Sequence, residues 1–195
     1  MNIFEIIGLC AGILQIIGYV WYDYYVITGQ IKPNTGSWVI WSYGNAIVCL
    51  NYLSLHKTIS FIESLPIVCA ICCVMSAIIF LVLGKFERPK WYEIVILIAD
   101  IGITIYWQVS GENITTAIVL QISVLISFIP IVLETKGDPA SEKAGPWMIW
   151  TVAYALLLIA EIPQQNQLKL IYPIHYAFWH LVIFIIVSRA KPLVV

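Results

Sequence analysis

The sequence predicts an all-α integral membrane protein of seven transmembrane helices in a 3+1+3 order: two three-helix bundles related by a parallel repeat and joined by one linker helix. Three observations carry this. Of the 195 residues, 61% are hydrophobic and only 11% charged, with a mean hydropathy of +0.91, whereas soluble domains are roughly 25% charged. Apolar runs of about 20 residues, the length a helix needs to cross a bilayer core, recur along the chain without the alternation of barrel strands. Finally, a G-x-W-x-I-W motif occurs twice, as Gly36-Ser37-Trp38-Val39-Ile40-Trp41 and as Gly145-Pro146-Trp147-Met148-Ile149-Trp150, at a constant offset of 109 residues.

The first span, about residues 3–26, has no basic cluster before it and no small-x-small cleavage site after it, so it reads as a retained helix and not a signal peptide. Span two, 37–55, opens on the first motif copy. Span three, 60–84, holds Pro66 and the Cys69-x-x-Cys72-Cys73 cluster. Span four, 91–107, carries Asp100 near its centre with no basic residue in the same helix. Span five, 114–133, carries Gln121 and Pro130; span six, 146–162, opens on the second motif copy and ends at Glu161; span seven, 171–188, carries Pro173, His175 and Trp179. The connections are short and punctuated by Gly, Pro, Asn and Lys.

Seven spans place the termini on opposite sides, so basic residues can be counted by side. One side collects Lys32, Lys85, Arg88, Lys90, Lys136, Lys143, Arg189 and Lys191; the other collects Lys57 and Lys169. This eight-to-two split predicts a cell membrane protein with its N-terminus outside and its C-terminus in the cytoplasm. A net charge of -1 offers nothing to nucleic acid.

Sliding the chain on itself pairs Trp38 with Trp147, Asn45 with Tyr154 and Tyr52 with Glu161, and a two-residue shift pairs Pro66 with Pro173. Three helices is an odd number, so span four acts as the inverter that keeps the copies parallel. The expected division is 1–85 for the first bundle, 86–110 for the linker helix and its flanks, and 111–195 for the second bundle.

On a helix Trp38, Trp41, Asn45 and Tyr52 share one face, and so do Trp147, Trp150, Tyr154 and Glu161. An unpaired amide or carboxylate is costly in lipid, so both stripes are expected to point into the bundle and outline one pocket. Indoles stack on flat solute faces while Asn and Tyr supply directional hydrogen bonds. Trp41, Asn45, Trp150 and Tyr154 are therefore the expected solute contacts, joined by His175 and Trp179 from span seven. Trp38 and Trp147, nearer the helix ends, are expected at the membrane interface as belt residues. Glu63 and Glu161 are expected to reach water from their span ends. Asp100 and Glu161 are the carboxylates that would serve proton coupling if any occurs; for Asp100 a buried hydrogen-bonded acid is the alternative.

The five cysteines all fall in apolar runs, and a lone C-x-x-C supplies too few ligands for a metal, so no metal or other cofactor is expected. The chain has no G-x-x-x-x-G-K, H-E-x-x-H or G-x-S-x-G, which removes the usual signs of ATP coupling and of common hydrolytic chemistry. An enzyme is not expected.

The 3+1+3 order, core-helix prolines and inward Trp and Asn residues resemble the SWEET, PQ-loop and nicotinamide riboside transporter superfamily. Pro130, in Ser127-Phe128-Ile129-Pro130, is similar to that group's helix-five proline and Pro146 to its helix-six proline, while Trp21 stands where a helix-one proline would be and the Pro-Gln dipeptide occurs only at Pro163-Gln164. The resemblance implies a facilitator that moves a small polar solute by alternating access. It also implies polar contacts from span seven, where His175 stands, with Pro66, Pro130, Pro146 and Pro173 as bending points. A sugar is the first expected solute and a nucleoside-like vitamin the second; a non-transporting sensor or assembly protein on the same fold is the other class, and self-association is left open.

Overall fold

A computed structural model describes residues 1–55, 60–85, 88–164 and 167–189; Lys57 and Lys191 of the charge count lie outside these. Helix α1 spans Ile3–Ile27 and starts on a capping box, with Asn2 Oδ1 accepting from the Glu5 amide at 2.9 Å and Glu5 returning a carboxylate to the Asn2 amide at 2.8 Å. Helix α2, Thr35–Ser54, is capped by Asn34, which accepts from the Ser37 amide at 2.9 Å. A 3-10 turn at Phe61–Glu63, capped by Ser60, leads into α3, Ser64–Val82. Helix α4 is Trp91–Ser110.

The fifth span is one apolar stretch, Asn113–Gly137, in two pieces: α5, Asn113–Ser127, and α6, Ile129–Gly137. Pro130 sits at the second position of α6, where its missing N–H leaves the carbonyl of Ile126 without an i→i+4 partner and its ring crowds the preceding turn. The chain breaks there, at Phe128. Helix α7 is Ala144–Glu161, and α8, Gln167–Ser188, carries Pro173 within its length. Pro146 is the third residue of α7, a first-turn position whose N–H would have no intrahelical partner to lose. Pro66 is likewise the third residue of α3, close behind the 3-10 turn. Of the four expected bending prolines, Pro130 alone stands at a break and Pro173 deep inside a helix.

Among the described residues all regular structure is helical, and six segments are long and apolar enough to cross a membrane. The chain is membrane-embedded. Helix α2 falls outside those six because Trp38, Trp41, Tyr43, Asn45, Asn51 and Tyr52 lower its hydropathy. Its position explains the composition: α3, α4 and α5 pack around it, and among its described side chains only Leu50 and Ser54 are exposed. A helix wrapped by protein has no need of an apolar outer face. The outer helices do carry one, as in Ile94, Ile98, Ile101 and Ile105 of α4 and Ile174, Phe178, Leu181 and Ile185 of α8.

The packing has a regular order. Helix α3 packs on both α1 and α2, and α8 packs on both α7 and the broken α5–α6 helix; across the middle, α1 packs on α7 and α2 on α5, with α4 against α2 and α5. The glycine that opens each motif copy is a point of close approach. A side chain at Gly36 would collide with the Glu93 carboxylate of α4, and one at Gly145 would come within 2.6 Å of the Trp21 ring of α1.

Candidate functional site

The two motif copies meet in space. Trp38 and Trp41 lie 5.7 Å apart, Trp41 and Trp147 6.3 Å, and Trp147 and Trp150 5.2 Å, so four indoles separated by 109 residues in sequence form one cluster. Helix α1 inserts Tyr19 at 5.1 Å from Trp150 and Tyr22 at 4.9 Å from Trp38. Helix α8 contributes His180, 5.4 Å from Trp147, and Tyr176, 4.8 Å from Tyr154. Phe128, at the break between α5 and α6, lies 5.2 Å from Trp41.

All of these rings except Tyr22 line a cavity of about 20 Å³ whose wall also includes Gln15, Asn45 and Cys69. That is room for about one water molecule. The polar atoms of the wall are tied together. Tyr176 donates to Asn45 Oδ1 at 2.7 Å, Trp41 Nε1 donates to Ser127 Oγ at 3.1 Å, and Tyr154 donates to Cys69 Sγ at 3.3 Å. Cys69 also meets the Tyr19 hydroxyl at 3.4 Å, so it acts here as a polar junction and not only as the small apolar filler its type suggests. Gln15, fully buried in the wall, leaves its Oε1 with no hydrogen-bond partner. A buried acceptor left open is costly unless a water or a solute donates to it.

Behind the lining, a phenol bonds a carboxylate on either side: one pair lies next to Tyr172, the other next to Trp38 and Trp147. At the end remote from the lysine-rich loops, Tyr52 of α2 donates to Glu161 of α7. These residues stand at the same 109-residue offset as the two motif copies. At the lysine-rich end, Tyr22 donates to Glu142 Oε1 at 2.8 Å and Trp147 Nε1 donates to Oε2 at 3.0 Å, while Trp38 Nε1 donates to the Tyr22 oxygen at 3.3 Å. Glu142 lies between α6 and α7, outside the spans, and is only 3% exposed. Burial pushes its carboxyl up from the ordinary 4.5 to about 8, against the lowering effect of the two donors.

Four of the six expected contacts, Trp41, Asn45, Trp150 and Tyr154, line the cavity. His175 and Trp179 do not. His175 bonds Gln121 at 3.3 Å beside an outward groove between α5 and α8, and Trp179 stacks on the far side of Phe128 at 6.0 Å. The inward row of α8 is Tyr172, Tyr176 and His180, at i, i+4 and i+8. Both rows satisfy helical spacing; the exposed apolar stripe Ile171, Ile174, Phe178, Leu181 and Ile185 is the signal that turns this row inward and leaves His175 and Trp179 half-buried at its flank.

Other placements also differ from expectation. Trp38 and Trp147 are 2% and 1% exposed, so they are walls of the site and not belt residues; their indole N–H groups find internal partners in Tyr22 and Glu142. Glu161 and Glu63 are buried, Glu161 under Tyr52 and Glu63 folded back to accept from the Ser60 amide and hydroxyl. Asp100 is buried and accepts from Ser123 of α5; it borders a separate space of about 10 Å³ behind Trp41 and Asn45. Tyr22 and Glu142 were not legible as site residues, since Glu142 falls in a loop outside every periodic segment. No family model matches this chain, and no curated protein or solved structure matches it either.

Proposed function

We propose that this protein is a membrane transporter, a facilitator that moves a small polar solute through the central aromatic cavity by alternating access. The observation that carries the proposal is the convergence of the two motif copies on one small cavity between the two halves of the chain, with a phenol–carboxylate pair behind its lining on either side. A cavity of one water's size cannot hold a solute, so this is a shut state, and function requires α1 and α7, or α2 and α5, to part.

The 3+1+3 parallel repeat belongs to the same proposal. In its support, α3 lies between α1 and α2 as α8 lies between the α5–α6 helix and α7, and the cross-contacts α1 on α7 and α2 on α5 are reciprocal. A twofold axis would generate that pattern. The arrangement supports kinship with the SWEET, PQ-loop and nicotinamide riboside transporter superfamily, with Pro130 and Pro173 as the bending points. A sugar is the first solute and a nucleoside-like vitamin the second, since both offer flat faces to indole and hydroxyls to Asn45, Gln15 and the tyrosines.

Uptake into proteoliposomes with a panel of sugars and nucleosides tests this. At least one solute is expected to equilibrate, and Trp150→Ala or Asn45→Ala should cut its rate by tenfold or more, about 1.4 kcal/mol in the barrier. If no solute moves and both variants leave the cell phenotype unchanged, a sensor or assembly role on this fold takes its place.

A further inference from the structure

We propose that Glu142 is a proton-binding site that links closure of the lysine-rich end of the cavity to proton uptake, so that the pH on that side gates access to the cavity. The inference rests on the transporter reading for its meaning but not for its measurement.

The geometry comes first. Glu142 ties together the two halves of the molecule: its Oε1 accepts from Tyr22 of α1 and its Oε2 from Trp147 of α7, and through the Tyr22 hydroxyl it also holds Trp38 of α2. The repeat-equivalent tryptophans of both motif copies thus converge on one carboxyl group. Helices α1 and α7 cannot part at this end while those bonds persist.

The surroundings give the group no compensating charge. Facing it are Tyr22 from α1, with Asp23 next along, Trp147 from α7 and Glu134 from α6, while α8 presents His180 to the Trp147 ring at 5.4 Å. Lys143 follows it in sequence, yet among the described residues no lysine or arginine forms an ion pair with it. A buried carboxyl without a cation favours its neutral form, which is why its pKa stands near 8 in the shut state.

Opening admits water to the carboxylate and returns its pKa toward 4.5, the ordinary value. Between those two values the shut state therefore holds one more proton than the open state. On closure a proton from water adds to a carboxylate oxygen and forms the O–H bond; on opening that bond breaks and the proton returns to water. Acid on the lysine-rich side stabilises the shut state. Alkali favours opening, by up to tenfold per pH unit within the window. Glu142 is a stronger place for this than Asp100 or Glu161, because it stands in a connection outside the apolar spans while those two lie within them.

Two measurements test the proposal on the full-length protein in lipid nanodiscs. Infrared difference titration should show the carbonyl stretch of a protonated carboxylic acid that disappears with a midpoint near 8 and is missing in Glu142→Gln. Tyr22→Phe, which removes a donor to the ionised form, should move that midpoint upward. The second measurement is the rate at which a water-soluble maleimide labels Cys69 in the cavity wall, with wild type divided by Glu142→Gln at each pH so that thiol ionisation cancels. That ratio should rise several-fold from about pH 6 to about 9.

A midpoint near 4.5, a band untouched by both substitutions, or a flat labelling ratio overturns the proposal. If Glu142→Gln fails to fold, the Tyr22→Phe midpoint decides alone. Because the titration uses no solute, a failure here leaves the transporter reading standing, and a failed uptake assay leaves the proton site standing.

Discussion

Tyr176 donates to Asn45 Oδ1 at 2.7 Å within a wall that the bulk solvent does not reach. The other side of the Asn45 amide has only a sulfur neighbour, Cys73 Sγ at 3.8 Å, so the phenol is the strong partner. Tyr176→Phe removes a donor of one hydroxyl and keeps the ring that stacks on Tyr154, leaving a buried acceptor open at a cost of about 1–3 kcal/mol. The expected outcome is a lower unfolding temperature in detergent for Tyr176→Phe. A double-mutant cycle with Asn45→Ala should be markedly less than additive, since the second change has no bond left to remove. Strict additivity would mean that the two groups do not interact. The same residue pair shows why α8 was hard to orient from sequence. Tyr176 and His175 are neighbours on a helix rich in aromatics, and only the position of the lipid-facing isoleucines separates the inward one from the outward one.

Helices, more than single residues, decide where this site sits. The break between α5 and α6 places Phe128 against Trp41 at 5.2 Å and Ser127 under the Trp41 indole N–H at 3.1 Å. Both contacts sit at the break in the helix that precedes Pro130. In Pro130→Ala the restored N–H can bond the Ile126 carbonyl, and the penalty of proline in a helix interior, about 3 kcal/mol, is removed. The expected result is a continuous helix over 113–137, thermal stability equal to or above wild type, and solute uptake reduced several-fold because Phe128 leaves the wall and Trp41 loses its Ser127 partner. Unchanged uptake would show that the break has no part in function. Helix existence and span were legible because an apolar run of about 20 residues has few other solutions in lipid. The break was legible as a proline, whereas its consequence for Phe128 was not, since that depends on which neighbour the broken helix meets.

At the scale of the molecule, the outer helices turn isoleucine-rich faces outward, while the span residues Gln15, Asn45, Asp100 and Glu161 are buried inside, which is what a lipid solvent demands. The parts legible in the sequence were those a lipid solvent imposes, the apolar helices, together with the recurrence of one motif, whose Trp41, Asn45, Trp150 and Tyr154 line the cavity. The parts that were not legible depend on long-range closure, as with Glu142, whose loop position gives no sign that Tyr22, 120 residues earlier in the chain, comes to lie against it. Orientation is the remaining whole-molecule property, and it follows from charge. The loop ends near Lys32, Lys85, Arg88, Lys90, Lys136 and Lys143 gather at one end of the bundle, while Lys169 lies towards the other. Positive loops are retained on the cytoplasmic side during insertion, so the N-terminus is expected outside. Two exposed positions report on opposite ends, Glu112 between α4 and α5 and Lys136 near the end of α6. In a background without native cysteines, a cysteine at Glu112 should react with an impermeant maleimide on intact cells and one at Lys136 only after lysis. The reverse pattern would invert the assignment and place the Glu142 closure on the outer face, where external pH would govern it; labelling of both positions on intact cells would undo the seven-span count itself.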